Sequence, residues 1–295
     1  MQSQHGIIEW IVKKPECHNM LCSIIPYSRS FDDTLLTYSL PLEFRPFVKI
    51  GSSVHIPWGK ETIVGIVADI AEQIPYEGEI KLITGPHCTT PWLSPSEISL
   101  LIQLSRQLFV RLHTVAQLFL PLWLFGLFEK ENFLSLSAPV LAKKRGESEY
   151  IVAPDEASIK SYLVKALLEN PGVVILPEWV SVKSWSTLME GSIADHHPKS
   201  LSTQKKIYLD ILAGTSPVLF GTRRTLTKRI GHYKHIYIVY DALSTDILFG
   251  QRYIPLWMFA DMLARHGHVI HYITTTPSVR IFCDFLQNKK PIHYL

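Results

Sequence analysis

Apolar residues follow two different rhythms along this chain. Between Cys22 and Thr84, short β-type runs at 35–40, 53–56, 63–70 and 80–83 are cut by Gly51, Pro57, Gly59, Pro75 and Gly78, the punctuation of a strand-and-turn segment. Further on, runs at 173–176, 218–220, 236–239 and 269–273 are apolar throughout and are separated by helical patterns. Strands of that kind are buried on both faces, which predicts a mostly parallel sheet with crossover helices. Between the two regions stand Ser94, Pro95 and Glu97: a cap, a first-turn proline and an acid three residues after the cap. Ile98, Leu101, Ile102, Leu108, Phe109, Leu112 and Val115 follow near helical spacing, so an amphipathic helix or a helix pair is expected. The fold class is thus α/β. A small β-rich N-terminal domain with C-terminal helices spans 1–128, a linker 129–149 holds the charged run Lys143-Lys144-Arg145-Gly146-Glu147, and an α/β half spans 150–295.

Composition narrows the classes without selecting one. At 295 residues and 47% hydrophobic the chain can bury ample core and is long enough for two domains. Its net charge of +3 is too mild to imply polyanion binding, so any such argument must rest on local clustering. Cys17, Cys22, Cys88 and Cys283 lack a C-x-x-C spacing, which argues against a zinc module and suits a reducing compartment. Residues 1–19 mix Gln, His, Glu and Lys with one short apolar run, so no secretory signal is visible and a cytoplasmic location is expected. The most membrane-like stretch, 118–128, falls short of the roughly 18 to 20 residues a spanning helix needs. It also contains Pro121 and Gly126, and no membrane partner is expected.

Motifs in a fixed order then carry a resemblance over nearly the whole length. In the first half these are "IIPYSRSFDDTLLTYSLP", "VKIGSSVHIPWGKETIVGIV", "EIKLI" and "LFLP"; in the second, "VVILPE", "VLFGTRRTL", "IYIVYDAL" and "ITTTPSVRIF". The chain resembles the PriA family (primosomal protein N′) of bacterial replication-restart DNA helicases. The first set matches the order of that family's 3′-DNA-binding domain, and the second falls where its first RecA-like lobe has its motifs. The family's winged-helix domain, cysteine-rich zinc module and second RecA-like lobe find no room here. The resemblance therefore implies a reduced relative: a DNA-binding domain followed by a degenerate RecA-like helicase lobe.

The nucleotide site is where the chain departs furthest. A phosphate loop needs glycine at both ends of G-x-x-x-x-G-K-[ST], because its backbone N–H groups must close on the phosphates. Here Pro154 and Ile159 stand at those positions, one locked in φ and the other β-branched, while Lys160 and Ser161 remain as a vestigial nucleotide site. The acidic motif, which would supply an Asp to magnesium and a Glu to the attacking water, reads Tyr240-Asp241-Ala242-Leu243. Asp241 either holds a metal one place out of register or is an ordinary turn carboxylate. No catalytic residue, metal ligand or cofactor is assigned, and ATP with Mg²⁺ enters only if the vestigial site still binds. The run His266, His268, His271 has no carboxylate or cysteine at ligand spacing, and strand alternation would set His266 and His268 opposite His271.

DNA is the expected partner. From Thr222 to Tyr240 there is no acid, while Arg223, Arg224, Lys228, Arg229 and Lys234 cluster after a glycine turn, so Thr222, Arg223, Arg224, Lys228 and Arg229 are candidates for the DNA backbone. For the β-rich half the resemblance implies capture of a DNA 3′ end by Phe31, Asp32, Gly51 and Lys81. An ionised Asp32 accepts a hydrogen bond from a 3′-hydroxyl and repels a 3′-phosphate, and Phe31 offers a face to the terminal base. The family's tyrosine after this aspartate is replaced by Asp33, which adds negative charge. The reading is a protein that binds forks, single-stranded DNA or 3′ ends in replication restart, with replication-restart factors or single-stranded-DNA-binding protein as expected protein partners. The alternatives are a helicase subunit completed by a partner chain, and an adaptor on a decayed helicase fold that uses Trp123 and its apolar neighbours.

Overall fold

A computed structural model describes residues 20–27, 35–72, 80–88, 90–121, 124, 145–196, 198–240, 247–249 and 252–295. The expected linker, the Trp123 to Phe128 patch and Phe31, Asp32, Asp33 and Asp241 lie wholly or mostly outside them.

The N-terminal half is built on β1 (Met20–Pro26), β2 (Leu36–Leu40), β3 (Ser53–Trp58), β4 (Glu61–Ala71) and β5 (Gly85–Pro86), in the antiparallel order β2-β1-β4-β3-β5. The segment 81–86 does more than add an edge. Ser39 N donates to Lys81 O (2.9 Å) and Ile83 N to Ser39 O (3.1 Å), and two residues later Gly85 pairs with His55 of β3. One stretch thus pairs with both edges and closes the sheet into a small barrel, leaving no long open edge. Alternation sorts the side chains: Cys22, Ile24, Tyr38, Leu40, Val54, Ile56, Val67 and Ile83 fill the inside, while Ile25, Tyr27, Ile66 and Ala68 face outward. Burial inside the barrel, followed by the charge of Asp69, pushes the Cys22 thiol up to about 12, so it is an inert packing residue.

The outward face is covered by α1 (Pro95–Leu108) and α2 (Leu112–Phe119), with Phe109 in the left-handed region between them. The capping box forms as expected: Glu97 N donates to Ser94 Oγ (3.2 Å) and Ser94 N to Glu97 Oε2 (2.7 Å). Leu101, Leu104, Val115 and Phe119 meet the barrel on one side.

The C-terminal half is a seven-stranded, all-parallel sheet in the order β14-β6-β13-β10-β7-β9-β8. Its strands are β6 (Ser148–Val152), β7 (Gly172–Leu176), β8 (Ile193–Asp195), β9 (Leu219–Thr222), β10 (His235–Val239), β13 (Val269–Thr274) and β14 (Ile292–Tyr294). A separate hairpin joins β11 (Ile247–Phe249) to β12 (Arg252–Ile254). On one face, α3 (Glu156–Glu169) and α4 (Val182–Ser186) cover Ile151, Val174, Phe220, Tyr237 and Val239. On the other, α5 (Leu201–Ala213), α6 (Leu256–Arg265) and α7 (Val279–Gln287) cover Val173, Ile175, Ile236 and Ile238. The α/β class read from the apolar runs is what the structure has.

The two halves share one core. Ile25 and Ile66 of the barrel, Leu101 and Phe119 of the helices, and Ile211, Leu226 and Ile230 of the second half belong to one apolar cluster. Two polar contacts cross the same joint: Tyr208 Oη donates to the Phe119 carbonyl, and Arg229 pairs with Glu97 through Nε to Oε1 (3.1 Å) and Nη2 to Oε2 (3.4 Å). Among the described residues no helix is long and apolar enough to cross a membrane.

Candidate nucleic-acid interface

Ligands of parallel α/β sheets gather at the carboxyl ends of the strands. Here β13 lies between β6 and β10, so the phosphate-loop position after β6 and the acidic-motif position after β10 are two strand spacings apart, about 10 Å. That is the span a magnesium nucleotide would bridge, and here Tyr240 and Glu156 meet across it.

After β6 the chain turns through Pro154 into α3. Asp155 caps the helix, accepting the Ser158 N–H at 2.7 Å, and Glu156 follows in the first turn. Two carboxylates therefore occupy the helix end that would otherwise attract a phosphate. Both are held below the ordinary carboxylate range, Asp155 chiefly by the backbone N–H of Ser158 and Glu156 chiefly by the hydrogen bond from Lys160, so both are ionised at neutral pH. Ile159 points into the core beneath the sheet and is buried. Lys160 pairs with Glu156 at 2.5 Å and lies 5.1 Å over the ring of Trp185, while Ser161 is exposed on the helix.

Aromatic rings pack around Tyr240 at the end of β10. Tyr240 follows β10 with φ of +58°, a left-handed conformation that a bulky residue adopts only when its surroundings impose it. Its hydroxyl donates to Glu156 Oε2 at 3.3 Å, and burial together with that carboxylate pushes the phenol up to about 12. Trp185 meets the Tyr240 ring edge-to-face at 6.4 Å, and Trp179, just past β7, leans on it at 5.6 Å. Asp241, the remaining carboxylate of the degraded motif, lies outside the described residues, and among those described no group of His, Cys, Asp and Glu is placed to hold a metal ion.

The basic segment sits beside this cluster, after β9. A 3₁₀ turn over Arg223–Thr227 folds back so closely that a Cβ on Gly221 would overlap the Thr225 side chain, which explains the glycine before Thr222. Counting charge along the chain overstates what the turn offers to a ligand. Lys228 Nζ and Thr225 Oγ1 both donate to the buried Asp195 carboxylate at 2.7 Å. Arg229 is 5% exposed against Glu97 at 6%, so its guanidinium is part of the joint between the halves rather than of the surface. Thr222 is buried. Arg223 and Arg224 remain at the strand ends, their side chains 17% and 63% exposed, and share Glu178 Oε1 at 3.2 and 3.7 Å.

In the barrel, Lys81 is exposed on the closing segment beside β2, the strand that follows Phe31 and Asp32 in the chain. Gly51 sits at a turn with φ of +86°, and the chain that approaches it is the protein's own: a Cβ there would collide with the Leu93 carbonyl. Its carbonyl accepts from Trp92 N (2.8 Å) and its N–H donates to Val67 O (2.7 Å), which ties the entry of α1 to the barrel.

A polar network that the sequence did not announce lies toward the opposite, amino-terminal ends of the strands. β13 starts at Val269, so His266 and His268 precede the strand instead of alternating along it with His271. His268 Nδ1 donates to the Tyr233 carbonyl at 2.9 Å, and burial pushes it down to about 4, so it is neutral. His271 Nδ1 donates to Glu149 Oε1 at 2.5 Å, and that hydrogen bond is the main reason the Glu149 carboxyl is lowered. His235 stands 3.0 Å from the other nitrogen of His271 and is pushed down to about 4, first by burial and then by His271.

With this geometry in place, the comparisons define the first half. Residues 24–121 match the family model described as the 3′DNA-binding domain (3′BD) of PriA, which takes in the barrel from within β1 and both helices that cover it. The module is a DNA-binding domain. The chain is a relative of the PriA family that carries this domain, and the match ends at Pro121, before the parallel sheet. No curated protein matches the chain at a significant level.

Proposed function

We propose that this chain is a PriA-like protein of DNA replication restart that recognises forked or 3′-ended DNA, with a RecA-like lobe that does not turn over ATP. The observation that carries the DNA part is the match of the barrel and its helices to the PriA 3′DNA-binding domain. In that reading the exposed ammonium of Lys81 and the 31–32 segment face a terminal nucleotide, while Arg223 and Arg224 touch backbone phosphates without reading sequence. Thr222, Lys228 and Arg229 hold that arginine-bearing turn in place from beneath. Replication-restart factors or single-stranded-DNA-binding protein would join the complex on DNA.

The inactive lobe rests on the ionised Asp155 and Glu156 at the start of α3, on Lys160 turned onto Glu156, and on Tyr240 reaching across from β10 to Glu156. A triphosphate brought there would meet two carboxylates and no glycine-flanked cradle. Two measurements on the full chain test this function. Fork affinity should fall about tenfold or more between roughly 50 and 200 mM salt, as several phosphate contacts require. ATP with magnesium should leave the melting temperature unchanged, because only a ligand of the folded state raises it. Salt-independent or undetectable fork binding would remove the DNA function, and a rise in melting temperature with ATP would remove the inactive lobe.

A further inference from the structure

The aromatic cluster around Tyr240 does not end at the surface of the core. Trp185 is buried under α3, Tyr240 packs on it, and Trp179 forms the outer ring with 63% of its surface exposed. An isolated exposed tryptophan needs no explanation. This one is backed by a buried ring system, follows Pro177 at the carboxyl end of β7, and adjoins Glu178, which holds Arg223 and Arg224. Lys183 is exposed on α4, the helix that follows Trp179 in the chain. A largely exposed indole, next in the chain to the carboxylate that holds two guanidinium groups, is the combination that takes a base and its phosphate together.

The geometry points to Trp179 as a stacking platform for an unpaired base of single-stranded DNA, with Arg224, and Arg223 behind it, on the adjoining phosphate. This assignment rests on the DNA-binding function above and gives the second half of the chain its own contact with the strand. Duplex DNA is a poor occupant, because each base face inside a helix is covered by its neighbours. A free nucleotide offers the same π-face, but its triphosphate would lie near the ionised Asp155 and Glu156. Contact with Tyr240 also limits the side-chain freedom that stacking would otherwise cost. Arg223 and Arg224 are already oriented by Glu178, whose carboxylate a phosphate would displace.

The test compares wild type with Trp179→Ala and Trp179→Phe, full length, on a fork carrying a single-stranded arm and on the same fork with that arm made duplex. Trp179→Ala is expected to weaken binding to the single-stranded arm by roughly 5- to 150-fold, the range of one base stack. It should leave the duplex fork unchanged, and Trp179→Phe should retain most of the affinity. Oligothymidine should quench tryptophan emission of wild type more than of Trp179→Phe, whereas ATP should quench both alike. Equal affinity of wild type and Trp179→Ala for the single-stranded arm, with both folded by their melting curves, overturns the platform while leaving fork binding intact. Failure of wild type to bind either fork removes the DNA function itself, and is thereby distinguished from failure of the platform.

Discussion

Arg229→Ala is expected to lower the unfolding free energy by about 3 to 5 kcal/mol, the cost of leaving a buried charge without its partner. The stranded group is Glu97. Its carboxylate is 6% exposed, caps α1 through Ser94, and receives both Arg229 Nε and Nη2 across the joint between the barrel and the parallel sheet. Truncating the arginine leaves the carboxylate with one side unsatisfied in a site that water cannot reach, and opens a gap among Leu226, Ile230 and their neighbours. Removing both charges behaves differently. Glu97→Gln with Arg229→Met keeps an oxygen acceptor for the cap and fills the arginine's volume with an apolar chain, so most of the loss should be recovered. Denaturant titration of wild type, the single variant and the double variant checks this. A loss under about 1 kcal/mol for Arg229→Ala would show the pair to be far more hydrated than its burial indicates.

Gly51→Ala should cost about 2 to 6 kcal/mol, the sum of a left-handed backbone forced on a side chain and a collision that only backbone movement can relieve. At φ of +86° the alanine methyl would enter the Leu93 carbonyl, which belongs to the segment leading into the capping box. The barrel and α1 would have to part, with loss of the Trp92 N to Gly51 O hydrogen bond. The measurement has two readouts, the denaturation midpoint and the fork affinity of whatever protein remains folded. A structural glycine predicts a large change in the first and little in the second. The reverse pattern would mean that DNA, rather than Leu93, is what Gly51 makes room for.

Local chemistry was legible in the sequence and long-range chemistry was not. The cap at Ser94 and Glu97 and the apolar strands at β7, β10 and β13 each rest on residues within a turn or a strand of one another, and each stands close to where the pattern put it. The short β8 and β14 carry too few apolar residues to register as strands. The closing segment 81–86 could not be seen as such, because its two partner strands are recognised only once the sheet curls. The basic cluster shows the same limit most sharply. Arg223, Arg224, Lys228 and Arg229 look alike in sequence, yet Lys228 turns to Asp195 and Arg229 to Glu97, partners 33 and 132 positions away. At the nucleotide position, the loss of glycines at 154 and 159 was readable. The aromatic cluster at the end of β10 was not, since Trp179, Trp185 and Tyr240 come from three separate segments.

The most direct measurement of the account is the affinity of the full chain for a fork whose leading strand ends in a 3′-hydroxyl, against the same fork ending in a 3′-phosphate. A domain of the PriA 3′-end type that uses the Asp32 carboxylate should favour the hydroxyl by roughly 10- to 100-fold, the worth of one charge-assisted hydrogen bond, and Asp32→Ala should erase the difference. Equal binding of wild type to the two ends would contradict it.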